Sequence, residues 1–213
     1  QTVNASYREE RNQIIFPAGI LQPPFFDPAA DAAVNYGAIG AIIGHEIGHG
    51  FDDQGAKYDG AGALRNWWQL EDRAQFDALT EGLVAQYEAY RPLAHDEAVR
   101  INGRLSLGEN IADLAGLELA YRAYRLSLGG TEAPVIGGFT GEQRFFLAFA
   151  QLWRGAQREP ALRNHLATAP HSPARFRVNG TVRNMDAWYE AFGITRDMGL
   201  YLPPDERVRI WST

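Results

Sequence analysis

Apolar residues recur every three or four positions along several stretches of the chain, the spacing that places them on one face of a helix. This pattern predicts helices over residues 31–51, 67–90, 107–128, 141–158 and 186–192. Residues 3–7 and 99–105 read as short strands, and residues 175–182 fit either structure. Prolines and glycines predict irregular segments at 17–26, 59–62 and 170–173. The chain is therefore predicted to be mainly α with a few short strands.

The first predicted helix, over residues 31–51, is rich in glycine. Gly37, Gly40 and Gly44 lie inside it, and each lowers its intrinsic helix propensity by roughly 1 kcal/mol. Such a helix needs tertiary packing, and its bare faces would let another element approach closely. We therefore expect this helix to be buried.

Composition is typical of a globular protein. Of 213 residues, 46% are hydrophobic and 22% charged, so one sizeable core and a single domain over residues 1–213 are expected. The net charge of −6 argues against a nucleic-acid partner, which needs a basic surface. We find no apolar run long enough to span a bilayer, so no transmembrane segment is expected in this chain.

The chain has no cysteine, which excludes disulfides, thiolate metal sites and a cysteine nucleophile. Any metal must therefore be held by imidazole and carboxylate groups. The lack of cysteine is compatible with a cytoplasmic location and equally with a bacterial envelope. The chain begins at Gln1 without an initiating Met or a signal-peptide pattern, which indicates a chain that is mature or cut at this end.

The sequence His45-Glu46-Ile47-Gly48-His49 is the strongest chemical signal in the chain. Residues four apart lie one turn above each other on a helix, so both imidazoles can reach one metal ion. Glu46 lies on the adjoining side, where it can take a proton from water. The alternative is an ordinary helix with two histidines at this spacing by chance. Burying unpaired imidazoles and a carboxylate on an apolar helix would be costly, which favours the metal site.

A catalytic zinc ion needs three protein ligands and an open position for water. Glu109, in Gly108-Glu109-Asn110-Ile111-Ala112-Asp113, is the best candidate for the third ligand. Asp113 lies four residues later on the same helical face, where it can hydrogen-bond a ligand imidazole. The alternative is that both acids sit near a positive helix N-terminus, as acids commonly do.

His171 and Arg177 form a further candidate pair. His171 lies in the loop Pro170-His171-Ser172-Pro173, where a rigid imidazole could stabilise an oxyanion. Arg177 could hold a substrate carbonyl with its planar guanidinium. The alternative is a surface histidine and a structural arginine.

Together these motifs resemble the C-terminal catalytic portion of the neprilysin and endothelin-converting enzyme family of zinc metallopeptidases. The matching blocks are residues 3–7, 11–26, 44–53, 108–113, 149–153 and 171–180. They cover nearly the whole chain, in order.

The resemblance implies a gluzincin, thermolysin-like zinc-peptidase core that holds one zinc ion per chain and acts on peptides. The zinc ligands would be His45, His49 and Glu109, and Glu46 would be the general base. Asp113 would hydrogen-bond a ligand imidazole, and His171 would stabilise the transition state. Asn4 and Ala5 would bind the substrate backbone, and Arg177 the carbonyl after the scissile bond. Ile20, Phe25, Ile42, Leu152 and Trp153 would line the pocket for the next residue. We therefore expect cleavage on the amino side of bulky hydrophobic residues.

Two departures from the family qualify this expectation. Family members are longer, and their N-terminal region completes the catalytic domain and forms a lid, so an N-terminal fragment of the same protein is an expected partner. The chain could accordingly be a non-catalytic zinc-binding half, and the ligands would also suit hydrolysis of a non-peptide amide. Val208 stands where animal members carry cysteine. That difference implies a bacterial member in the periplasm, the cell envelope or the medium.

Overall fold

A computed structural model describes residues 2–211 of the chain. It begins with an antiparallel hairpin in which β1 (Ser6–Arg8) pairs with β2 (Gln13–Ile15). The strand predicted over residues 3–7 thus starts later, and β2 had not been predicted. Residues 17–26 are irregular apart from one 3₁₀ turn at Ala18–Ile20, as expected.

The helix predicted over residues 31–51 is present as four consecutive helical segments. They are α1 (Ala32–Asn35), a π-helical turn (Tyr36–Gly40), α2 (Ala41–Gly48) and a 3₁₀ turn (His49–Phe51). The side chain of Asp31 begins the run by accepting a hydrogen bond from the backbone N–H of Ala33, at 3.0 Å. We refer to the whole run as the metal helix.

Six further helices follow the metal helix in the described residues. They are α3 (Leu70–Glu88), α4 (Leu107–Ser127), α5 (Gly141–Leu152), α6 (Glu159–Thr168), α7 (Ala174–Val182) and α8 (Asp186–Phe192). The predictions of α3, α4 and α8 are confirmed to within three residues at each end. The ambiguous segment 175–182 is a helix.

Two predictions of secondary structure are wrong. Residues 99–105 form no strand: 99–102 are irregular, and 103–105 lie in a turn in which the Asn102 side chain accepts a hydrogen bond from the Leu105 N–H and the Asn102 carbonyl accepts one from the Ser106 N–H. The helix predicted over residues 141–158 ends at Leu152, and the separate helix α6 begins at Glu159 with a proline in its first turn.

The metal helix and α4 touch backbone to backbone. A Cβ atom on Gly44 would lie 2.4 Å from the Gly116 carbonyl oxygen, and one on Gly116 would lie 2.3 Å from the His45 nitrogen. Gly48 packs in the same way against Ala112. The absence of side chains at this crossing lets the first turns of α4 approach the end of the metal helix, as its glycine content had predicted.

Two apolar clusters surround this crossing. The larger is formed mainly by helices α3, α4, α5, α7 and α8, and the smaller joins Ala5, Ile20, Ile39 and Ile42. The described chain is thus mainly helical, with one short hairpin. No helix within residues 2–211 is both long enough and apolar enough to cross a membrane.

Candidate active site

His45, His49 and Glu109 converge on one point between the metal helix and α4. One potential ligand atom from each lies within 4.8 Å of the other two. The two Nε2 atoms are 3.1 Å apart, and Glu109 Oε2 lies 3.3 Å from His45 Nε2. The close packing of the two helices therefore brings together the three residues that spacing had predicted as ligands.

A carboxylate holds the outer nitrogen of each imidazole. Asp113 Oδ1 lies 2.8 Å from His45 Nδ1, and Asp52 Oδ2 lies 2.7 Å from His49 Nδ1. A carboxylate accepts a hydrogen bond at these distances, so each Nδ1 carries a proton and each Nε2 is the ring nitrogen that faces the site. Asp113 had been predicted in this position. Asp52 had been given no role.

This arrangement fits a zinc ion. With both Nδ1 atoms held by carboxylates, the two Nε2 atoms that face each other across 3.1 Å would both be available to bind one cation in the neutral form of the rings. Glu109 Oε2 is buried and makes no well-aligned hydrogen bond within residues 2–211, so it is available as a ligand. Two imidazoles and one carboxylate form a donor set found in catalytic zinc sites.

The two glutamates of the site have opposite electrostatic environments. Burial raises the pKa of Glu46, against the opposing effect of His45 and His49, and Glu46 Oε2 has no hydrogen-bond partner in the described residues. Burial would also raise the pKa of Glu109, but the adjacent imidazoles of His171 and His45 hold it well below its usual range. Glu109 is therefore the stable anion, and Glu46 is the better proton acceptor and donor.

Arg177 lies in the wall of the site and is almost fully buried, with 6% of its surface exposed. Its Nε and Nη2 atoms each donate to Asp113 at 2.6 Å, and its guanidinium lies 3.9 Å from the ring centre of Trp153. The Nη1 atom takes no part in the bidentate pair. Arg177 thus braces Asp113 and keeps one donor group free of that pair.

His171 closes the site from the loop before α7. Its Nε2 atom lies 3.1 Å from Glu109 Oε2, and its side chain is 45% exposed. An imidazole in this position is close to the candidate metal centre and still accessible to a ligand.

A cleft of about 450 Å³ passes over these groups. It is lined by every predicted site residue except Asp113 and Leu152. Asp113 lies behind His45, and Leu152 packs in the smaller apolar cluster beside the cleft. Tyr7 and Glu9 also line the cleft and had not been singled out. Tyr7 lies within the block of residues 3–7 that carries the resemblance.

The family model for peptidase family M13 matches residues 4–208. The chain belongs to peptidase family M13. Among M13 relatives, it is 43% identical to human neprilysin over 98% of its length and 43% identical to human endothelin-converting enzyme 1 over the same share. The resemblance inferred from the sequence is therefore confirmed, and so is the mainly helical zinc-peptidase fold class.

Solved structures of bacterial zinc peptidases are also similar to this M13 chain. The crystal structure of Mycobacterium tuberculosis zinc metalloprotease Zmp1 with an inhibitor matches with a TM-score of 0.97 at 56% identity, over 99% of this chain. PepO from Lactobacillus rhamnosis HN001 matches with a TM-score of 0.86 at 41% identity, over 98%. The chain spans only 32% of that Zmp1 chain and 28% of human neprilysin. It therefore corresponds to part of a longer protein in these relatives.

Proposed function

We propose that this chain carries the catalytic residues of a zinc-dependent endopeptidase or oligopeptidase. The observation that supports the proposal is the His45, His49 and Glu109 donor set with Glu46 beside it, all facing one cleft. One zinc ion per chain fits the single cluster of potential ligands found in residues 2–211. Peptides are the proposed substrates.

The residues around the metal centre suit hydrolysis of a peptide bond. When bound, zinc supplies the positive charge that acidifies water and polarises a carbonyl. Glu46 accepts the proton of the attacking water and passes it to the leaving nitrogen. His171 donates a hydrogen bond to the carbonyl oxygen as it gains negative charge. Asp113 and Asp52 keep the ligand imidazoles in the correct tautomer.

The shape and lining of the cleft also support a preference for certain residues of the substrate. Asn4 and Ala5 lie just before β1, where they can bind an extended peptide backbone. Arg177 takes the carbonyl after the scissile bond through Nη1. The walls beyond are apolar, with Ile20, Phe25, Ile42 and Trp153 lining the cleft and Leu152 packed beside them. A bulky hydrophobic residue after the scissile bond would bury its side chain there.

Replacing Glu46 tests the mechanism directly. We expect Glu46→Gln to retain stoichiometric zinc and to lower kcat by about a thousandfold, the usual contribution of a general base. Metal analysis and hydrolysis of a quenched peptide measure the two quantities. Glu71→Gln, on the exposed face of α3, is the matched control and should leave both unchanged. Substantial turnover by the Glu46 variant would remove this residue from the role of base.

A second candidate is a zinc-binding half that needs another polypeptide to form a working cleft. The observation that favours it is that the chain spans between 25% and 28% of the neprilysins it matches. The proposed partner is an N-terminal fragment of the same protein. Activity of the zinc-loaded chain by itself would reject this alternative, whereas activity that appears only with the remaining polypeptide would support it.

A location in the bacterial periplasm, envelope or medium remains a prediction, which cell fractionation would check.

A further inference from the structure

The loop that carries His171 is held at two points outside the metal centre. This loop, Pro170–Pro173, connects α6 to α7 and is here called the His171 loop. The His171 imidazole is half-exposed, and its polar contact in the site is the 3.1 Å approach to Glu109. A half-exposed side chain on a connecting loop keeps one position only if the backbone of the loop is itself fixed.

The first anchor joins the loop to α4 through buried polar groups. The Ser172 hydroxyl donates to Asn110 Oδ1 at 2.8 Å, the Asn110 amide donates to Ser106 Oγ at 3.0 Å, and Ser106 donates to the Asn102 carbonyl at 3.1 Å. Ser172 and Asn110 are 2% and 1% exposed. Asn110 directly follows Glu109, so this chain of hydrogen bonds ties the His171 loop to the residue beside the proposed ligand.

The second anchor comes from α6. His165 Nε2 lies 2.9 Å from the backbone carbonyl of His171, and His165 Nδ1 lies 3.3 Å from the Gln157 side-chain amide. A carbonyl only accepts hydrogen bonds, so Nε2 carries the proton and donates it, and Nδ1 accepts from Gln157. The two contacts are consistent with one neutral tautomer of His165, which is outside the cleft lining.

We propose that Ser172 and His165 are positioning residues that clamp the His171 loop to α4 and to α6 and so keep the His171 imidazole over the reacting carbonyl. The inference rests on the proposed function, because it assigns His171 the task of stabilising the transition state. Neither residue lines the cleft, and both hold the backbone of the loop that carries His171. Loosening either anchor would therefore lower kcat and leave KM and zinc content nearly unchanged.

Double-mutant cycles test this claim. We expect Ser172→Ala and His165→Ala each to lower kcat about tenfold, and His171→Ala to lower it about a hundredfold. In the His171→Ala background, each second substitution should change kcat less than about twofold, because the group it positions is gone. His165→Gln places an amide nitrogen near the former Nε2 position and should restore most of the activity.

A second measurement does not depend on activity. Hydrogen exchange over residues 169–176 should become faster in Ser172→Ala and His165→Ala, while exchange in α3 stays unchanged. Thr80→Val is the control variant. It removes a buried hydroxyl that donates to the Asp77 carbonyl on α3, outside the cleft lining, and so measures the effect of losing any buried hydroxyl. Two results would overturn the clamp. One is a tenfold loss of kcat from Ser172→Ala or His165→Ala that persists in the His171→Ala background. The other is no loss of kcat in either single variant. A zinc-loaded protein that stays inactive even with the remaining polypeptide present would instead refute the proposed function.

Discussion

At the scale of single residues, the carboxylate behind each imidazole sets the chemistry of the site. Asp52 accepts hydrogen bonds from the backbone N–H groups of Gln54 and Gly55 at 2.8 and 2.7 Å, in addition to its contact with His49. These bonds fix the Asp52 carboxylate before any metal binds. It can therefore hold the His49 ring with Nε2 facing the site at little further entropic cost.

We predict that Asp52→Asn weakens zinc binding by roughly 10- to 100-fold, the range for loss of a carboxylate that orients a ligand histidine. An amide at this position is uncharged, so it supports the ligand ring less well. Competition with a chelator measures the change. Asp77→Asn, an exposed substitution on α3, should bind zinc like the unmodified protein. An unchanged affinity in the Asp52 variant would mean that His49 is oriented by other contacts.

The proposed ligand residues could be predicted from the sequence, but Asp52 could not. His45 and His49 are four apart within a helix, so their common face follows from helical geometry alone. Asp52 follows a 3₁₀ turn and has an extended backbone, with φ −77° and ψ −173°. This change of backbone direction turns its side chain back towards His49. The spacing of residues in the sequence does not predict such a change of backbone direction at the end of a helix.

At the scale of elements, the crossing of the metal helix and α4 decides whether the site forms. Glu109 and Asp113 belong to α4, whereas both imidazoles belong to the metal helix. Their distances therefore depend on how closely two helical backbones approach, and this approach depends on Gly44 and Gly116.

We predict that Gly116→Ala destabilises the fold by roughly 1–3 kcal/mol, the usual cost of overpacking a close contact. The added Cβ would lie 2.3 Å from the His45 nitrogen, so the helices must separate and move Glu109 away from the imidazoles. Denaturant unfolding and zinc titration should both register the change. Gly155→Ala is the control, because its Cβ would meet nothing within 4 Å. Equal stability in the two variants would show that the crossing tolerates a side chain.

The helices α3, α4 and α8 were predictable from their apolar pattern, whereas β2, α6 and the structure of residues 175–182 were not. The strand β2 has only three residues, too few to show an alternating pattern. Residues 175–182 also alternate apolar positions, yet the buried ones are Phe176, Arg177, Gly180, Thr181 and Val182, with the spacing of a helix. Tertiary packing determines that this segment is a helix rather than a strand. Pro160 indicates the start of α6, but the apolar pattern of the preceding residues favoured one continuous helix up to residue 158.

At the scale of the whole molecule, the metal helix exposes an apolar stripe on the side away from the cleft. Ile43, Ile47 and Phe51 follow at four-residue spacing with 39%, 41% and 46% of their surface exposed. Leu119 and Trp211 extend the apolar surface around a cavity of about 630 Å³. The M13 relatives are about three to four times as long as the match. We therefore expect the remainder of a longer polypeptide to cover this stripe.

Ile43→Asp tests that expectation by comparing two lengths of the protein. In the chain of residues 1–213 the new carboxylate would stay hydrated, so we expect only the loss of the partly buried isoleucine, about 1 kcal/mol of unfolding free energy. In the longer polypeptide the same carboxylate would be buried without a partner, at a cost of about 3 kcal/mol. Leu70→Asp, at a site 86% exposed on α3, should have little effect at either length. An equal effect of Ile43→Asp at both lengths would show that the stripe remains in water, because only burial makes an unpaired charge so costly.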